Sequence, residues 1–279
     1  MRMTRWGIGI VFMGFMALSQ AWAAREVVTL KGSDTLVILA QRWAEAFMKD
    51  HPDAAVQVTG GGSGTGISAL INGSTDIAMA SRPISRKEEA LLKKKRGADV
   101  VAFDVAKDGI TIYVHPDNPV KALSLEQLAS IYTGGITDWK EVGGRPGRII
   151  LYGRENSSGT YVYFMEHVLD DEDYDPRMQS LPGTAAVVNA VSKEPRGIGY
   201  GGAAYASGVK IVPIGAGGDA PAYRPTPENV AKGLYPISRT LYFYTAGAPT
   251  PQASRFLDWV RGPQGQELVR EVGYFPISK

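Results

Sequence analysis

Cysteine is absent from all 279 residues. That excludes disulfide staples, thiolate nucleophiles and thiolate metal sites, so the fold must rest on its hydrophobic core. Histidine is nearly absent: His51, His115 and His167 are the only three. His51 and His115 each precede a proline and are expected in turns. His167 lies one helical turn from Tyr163 and is expected at the surface. Neither a metal centre nor a histidine-assisted nucleophile is expected from such an inventory. Other signatures fail on spacing. No lysine follows Gly66, so the Walker loop is missing. The glycines at 62, 64 and 66 do not match the dinucleotide fingerprint, and neither Ser63 nor Ser158 sits in G-x-S-x-G. The acidic run Asp170-Asp171-Glu172-Asp173 lacks EF-hand spacing and reads as a solvated helix end. There is no heptad run, solenoid repeat or low-complexity segment.

One long apolar run is present, from Trp6 to Leu18. Arg2 and Arg5 precede it and Ala21-Trp22-Ala23 follows it. It is too short to span a bilayer comfortably, and the flanks are those of a secretory signal peptide. Residues 1–23 are therefore expected to be cleaved near Ala23, leaving a periplasmic protein. With no cysteine after the run, a lipid anchor is excluded. Of the 30 basic residues, two fall in that segment, leaving 28 against 28 acidic residues. The mature chain is near neutral, which argues against a nucleic-acid partner.

After the leader, short β-like runs alternate with amphipathic stretches. Strands are expected at Val27–Lys31, Val56–Thr59, Asp76–Ala80 and Val100–Phe103, with helices between them. Ser85 with Glu88, and Ser124 with Gln127, form capping boxes. A second block runs from Gly109, with strands at Ile110–Val114, Ile149–Tyr152 and Val209–Ile214, and an exposed loop over 215–227. Leu241–Thr245 is a further strand, followed by two helices. The βαβ rhythm implies two α/β lobes, each a mostly parallel sheet flanked by helices. The expected division is 24–108 plus 240–279 for lobe 1 and 109–239 for lobe 2. The chain would cross between lobes near Lys107–Ile110 and Ser238–Leu241, and a ligand would sit in the cleft.

Three segments between a strand and a helix carry the chemistry. They are Gly32-Ser33-Asp34-Thr35, the run Gly60 to Gly66 with five glycines in seven residues, and Arg154 to Thr160. Helix starts present free N–H groups and a positive dipole end, glycine lets backbone approach closely, and hydroxyls add donors. Arg154 adds a planar fork suited to an oxyanion. Taken singly, Ser33 and Thr35 read as ordinary N-caps; together the three segments point to an oxyanion site. Ser81-Arg82 follows the third strand at the matching edge. Arg82 either faces the ligand or pairs with Glu88 or Glu89.

Lys31–Thr35, Gly60–Gly66, Asp76–Arg82, Ile131–Trp139 and Arg154-x-x-x-Ser158-Gly159-Thr160 together resemble a known family. It is that of the periplasmic phosphate-binding proteins of the high-affinity phosphate ABC transporter, the PstS-like group of the type II periplasmic binding fold. The resemblance covers essentially the whole mature chain. It implies phosphate contacts from Thr35 and Leu36, from Ser63, and from Arg154, Ser158, Gly159 and Thr160; Ser33, Asp34, Ser81 and Arg82 complete the expected ligand-binding set. It further implies a hinged clamp, a monomer needing no cofactor, that hands its anion to a membrane permease. One position departs. Well-studied members carry an Asp where this chain has Arg82, and that carboxylate accepts the ligand's proton. Asp34 is the expected substitute acceptor. Other functions considered are a receptor for sulfate, molybdate or a phosphonate, an anion sensor or adhesion protein, and an exported phosphatase.

Overall fold

The structure, a computed structural model, describes residues 26–218 and 220–277. The expected signal peptide and its cleavage site lie outside the described residues.

Strand β1 (Val27–Gly32) buries alternate side chains, and helix α1 (Asp34–Asp50) follows. Leu36, Leu39, Ala40, Trp43 and Phe47 recur every three or four residues, so one face of α1 is apolar and packs on the sheet. Next come β2 (Ala55–Thr59), α2 (Ser63–Asn72), β3 (Ile77–Ala80) and α3 (Arg86–Arg96). After β4 (Val100–Val114) the second lobe contains β5 (Leu123–Ser124), α4 (Leu125–Thr133), β6 (Ile150–Arg154), α5 (Gly159–Val168), β7 (Gln179–Leu181) and α6 (Thr184–Lys193). It continues with β8 (Gly197–Gly202), β9 (Lys210–Val212), β10 (Ile214–Gly215), β11 (Ala222–Tyr223) and α7 (Pro227–Ala231). The chain then enters β12 (Ser238–Ala246), α8 (Pro251–Arg261) and α9 (Pro263–Val272).

The main sheet has the order β2-β1-β3-β12-β4-β8-β6-β7, with β9 also paired to β4. Strands β5, β10 and β11 form a small second sheet. Two large apolar cores result, beside two smaller clusters. One gathers Leu30, Trp43, Phe243 and Phe256, the other Ile112, Tyr132, Phe164 and Tyr200.

Val100–Phe103 and Ile110–Val114, expected as two strands, are one. The 15 residues of β4 pair with β12 in their first part and with β8 and β9 in their second. At roughly 3.3 Å per residue the strand is about 50 Å long, enough to run through both lobes. The sheet is also less parallel than the βαβ rhythm implies. β1 pairs with β2 and β3, and β6 with β7 and β8, in parallel. The strands that connect the lobes are antiparallel to their neighbours, because the chain leaves along β4 and returns along β12. Val209–Ile214 divides between two sheets as β9 and β10, and the segment 215–227 contains β11, paired to β10.

The C-terminal segment makes a further link. Phe275 exchanges backbone hydrogen bonds with Lys107 at 2.6 and 3.0 Å. The Phe275 ring enters the second core, while the neighbouring Tyr274 belongs to the first.

Candidate oxyanion site

Each lobe sends strand-to-helix turns to the cleft. In the first lobe, α1 starts after Ser33 and α2 after Gly62. Neither N-cap makes a side-chain hydrogen bond to its helix, whereas α3, α4, α7 and α8 are all capped by a hydroxyl. The first-turn donors of α1 and α2 thus receive no side-chain cap, at the helix ends whose dipole favours an anion. In the second lobe α5 starts at Ser158, whose Oγ accepts from the Thr160 and Tyr161 N–H groups.

The lobes are closed on one another. Gly64 N–H donates to the Ser157 carbonyl across the cleft at 2.9 Å. Gly62 has φ of 92°, and a Cβ there would lie 2.6 Å from that same carbonyl oxygen. Only glycine serves at this position, which accounts for part of the glycine run. At Gly159 a Cβ would come within 2.3 Å of Ser63 Oγ and 2.7 Å of Ser81 Oγ. The Thr35 and Thr160 hydroxyls, one from each lobe, are 2.9 Å apart. Ser33, Thr35, Leu36, Ser63, Ser81, Arg154, Ser158 and Thr160 are all buried. Among these, the hydroxyls of Thr35, Ser63, Ser81 and Thr160 form one cluster with the Gly159 backbone.

A residue that the sequence reading did not single out stands in the middle of this cluster. Arg239 of β12 sends Nη2 to Thr160 Oγ1 at 3.0 Å and to Thr35 Oγ1 at 3.3 Å, and Nη1 to the Ser81 carbonyl at 2.9 Å. Asp108 of β4 holds it, accepting from Nη2 at 2.8 Å and Nε at 3.2 Å. The second Asp108 oxygen, Oδ1, is buried and has no hydrogen-bond partner among the described residues. The Tyr163 ring lies under the Arg239 guanidinium at 5.6 Å.

Arg154 and Asp34 form a second pair, 2.6 Å apart, between lobes. The Arg154 guanidinium also donates to Leu181 and Pro182 carbonyls and to Thr184 Oγ1. Four of its five N–H donors are thereby engaged, so the expected two-pronged grip on a ligand is not available in this geometry. Asp34 differs from expectation too. Its Oδ1 accepts from Gly61 N–H at 2.9 Å and its Oδ2 from Arg154, so each oxygen already has a protein donor.

Arg82 is not brought into the cluster. Its Nη1 and Nη2 donate to Glu88 at 2.9 and 2.7 Å, and Nη1 also to the Pro83 carbonyl. The cause is the capping box: Glu88 reaches back to Ser85 N–H at the start of α3, which fixes its carboxylate beside Arg82. Burial alone would raise the Glu88 pKa, but the Arg82 and Ser85 hydrogen bonds outweigh it and lower it.

Buried tyrosines fix the surrounding backbone. Tyr274 hydroxyl donates to the Thr35 carbonyl, Tyr113 to Gly202, Tyr205 to Asp34 at 2.5 Å and Tyr235 to Ile110 at 2.6 Å. Burial raises the pKa of all four, that of Tyr205 to about 12.

Fold and site define a two-lobed binding protein, closed over a cluster of hydroxyls, helix starts and a buried arginine. Residues 19–263 match the model of the PBP superfamily domain. The phosphate-binding protein PstS of Pseudomonas aeruginosa is 34% identical over 265 residues, covering 88% of this chain and 81% of that protein. Its counterpart from Bacillus subtilis is 33% identical, covering 90% and 81%. A phosphate-bound putative phosphate ABC transporter substrate-binding protein from Clostridium perfringens superposes with a TM-score of 0.83 at 30% identity. The match covers 91% of this chain and 100% of that one. The chain belongs to the PstS family of phosphate-binding proteins.

Proposed function

We propose that this protein captures inorganic phosphate in the interlobe cleft and delivers it to an ABC importer. The observation that carries the reading is the Arg239 guanidinium bound to Thr35 and Thr160 at once, hydroxyls from opposite lobes at the starts of two helices. Such a cluster meets a tetrahedral anion with donors on several sides and closes both lobes on it. The relatives named above support the choice of phosphate.

The reading is one of binding without catalysis. The hydroxyls contact other hydroxyls, backbone and arginine. His51 packs on Phe47, His115 lies beside Asp117, and His167 stacks on Tyr163, so none activates a serine here. Lobe 1 comprises 24–108 and 240–279, and lobe 2 comprises 109–239. Ser33, Thr35, Leu36, Ser63, Ser81, Ser158, Gly159 and Thr160 line the ligand, with Arg239 in the role first given to Arg154 and Arg82. The protein works as a periplasmic monomer released by cleavage near Ala23, and its protein partner is an inner-membrane permease.

Equilibrium dialysis of anion-stripped protein against radiolabelled phosphate tests the reading. One phosphate retained per chain, displaced by unlabelled phosphate, supports it; no retention overturns it.

A further inference from the structure

Helix α3 lies on the outside of the first lobe, and of its 11 residues only Leu92 is buried. It carries six basic residues, Arg86, Lys87, Lys93, Lys94, Lys95 and Arg96, against two acids. Beyond residue 23 the chain has 28 basic and 28 acidic residues, so the rest of it holds 22 basic against 26 acidic. A near-neutral molecule thus keeps its surplus of positive charge on one exposed helix.

Part of that charge is matched within the protein. Glu88 turns inward to Arg82, Lys93 pairs with Asp99 at 2.7 Å, and Lys95 donates to Asn72 at 2.9 Å. Arg86, Lys87 and Lys94 form no ion pair among the described residues. Lys87, Ala90, Leu91 and Lys94 recur at the i, i+3, i+4, i+7 spacing of one helical face, and all four are exposed. That face is turned about 150° from both Leu92 and Glu89, the remaining acid. Leu91 is 42% exposed between the two lysines.

We propose that this face of α3 docks on an anionic phospholipid surface, with Arg86, Lys87 and Lys94 at headgroup phosphates and Leu91 at the acyl boundary. The inference goes beyond the phosphate reading and does not depend on it. Two arguments select a lipid. A helix of 11 residues is about 16 Å long and roughly 10 Å wide, so its outer side covers only about 160 Å². Each partner in a stable protein interface gives up about 800 Å². Headgroups move independently, and each cation gathers its own without a complementary shape. The second argument is Leu91. An apolar side chain among cations adds nothing toward a purely ionic partner, but it gains in a headgroup layer while lysine stems lie along the boundary. Each cation near such a surface strengthens binding about fivefold, so the attachment is weak and reversible.

Co-sedimentation with lipid vesicles tests this, using the chain from Ala24 onward, the mature form proposed above. The vesicles are phosphatidylcholine alone and an equimolar mixture of phosphatidylcholine and phosphatidylglycerol. The protein is expected to pellet with the mixed vesicles and not with the neutral ones. Salt at about 1 M, where the Debye length is about 3 Å, is expected to release it. Lys87→Gln/Lys94→Gln should bind about 25-fold more weakly. Lys121→Gln, which removes an exposed cation just before β5, should bind like the wild type. All three positions are exposed, so the variants keep the fold, which thermal melting checks. Equal binding to both kinds of vesicle overturns the inference, as does a double variant that binds like the wild type or a Lys121→Gln loss as large as that of the double variant. No binding to the mixed vesicles also overturns it, and leaves an acidic protein surface as the partner that the charge fits.

Discussion

Arg239 and Asp108 are cross-strand partners in register on the two antiparallel strands that connect the lobes, with Nη2 2.8 Å from Oδ2 and both side chains 1% exposed. The pair thus belongs both to the strands that connect the lobes and to the hydroxyl cluster. In this closed arrangement Thr160 of one lobe and Thr35 of the other meet the same arginine, which Asp108 holds in place.

Removing the arginine leaves a buried, unpaired carboxylate. Arg239→Ala is expected to lose about 3–5 kcal/mol of stability, measured by urea unfolding, and to abolish phosphate binding. Arg239→Lys keeps the charge but not the fork, and should recover part of the stability with little of the affinity.

Asp34 joins the lobes through Arg154, and each of its oxygens already has a protein donor. Asp34→Asn is expected to weaken phosphate about tenfold, the order of one charge-assisted hydrogen bond. The preference for phosphate over sulfate should stay unchanged. Titration with both anions checks this, and a lost preference would return Asp34 to the role of acceptor.

Arg82 is held by Glu88 outside the cluster. Arg82→Ala is expected to leave phosphate affinity within about twofold of wild type, as for a residue remote from the ligand. A large loss of affinity would place its guanidinium in the site after all.

Alkaline pH should unfold the protein early. Tyr113, Tyr205, Tyr235 and Tyr274 all have raised pKa values, chiefly from burial, with Tyr205 at about 12. Above the ordinary tyrosine pKa of about 10 the unfolded chain releases protons that the folded chain retains. The stability from keeping these hydroxyls protonated is complete below about pH 10 and lost as pH rises through about 12. Melting curves between these values, followed with tyrosinate absorbance, should show unfolding and ionisation together. Ionisation that clearly precedes unfolding would contradict the assignment.

The turns of the site were legible because their signals are local. Ser33, the glycines from 60 to 66 and Ser158–Thr160 each follow a strand and open a helix, where glycine and hydroxyls have few other uses. Arg239 and Asp108 were hidden because each lies inside a strand, where a polar residue in an alternating pattern reads as solvent-facing. The available signal was their position, at the two expected crossings between lobes. Arg82 shows the converse. The Ser85–Glu88 capping box was readable, but the reach of its carboxylate to Arg82 depends on the turn between them. β8, with sequence Gly-Ile-Gly-Tyr-Gly-Gly, looks like a loop yet is buried throughout. α6 packs so closely that a Cβ at Gly199 or Gly201 would meet Val187 or Thr184 at 2.6 or 2.5 Å. Such a strand is specified by its neighbours and not by its own propensity.

The most direct measurement is isothermal titration of the wild-type chain, stripped of anion, with phosphate and then with sulfate. The account predicts saturable phosphate binding at one site per chain and no heat from sulfate. No phosphate binding at all would contradict it.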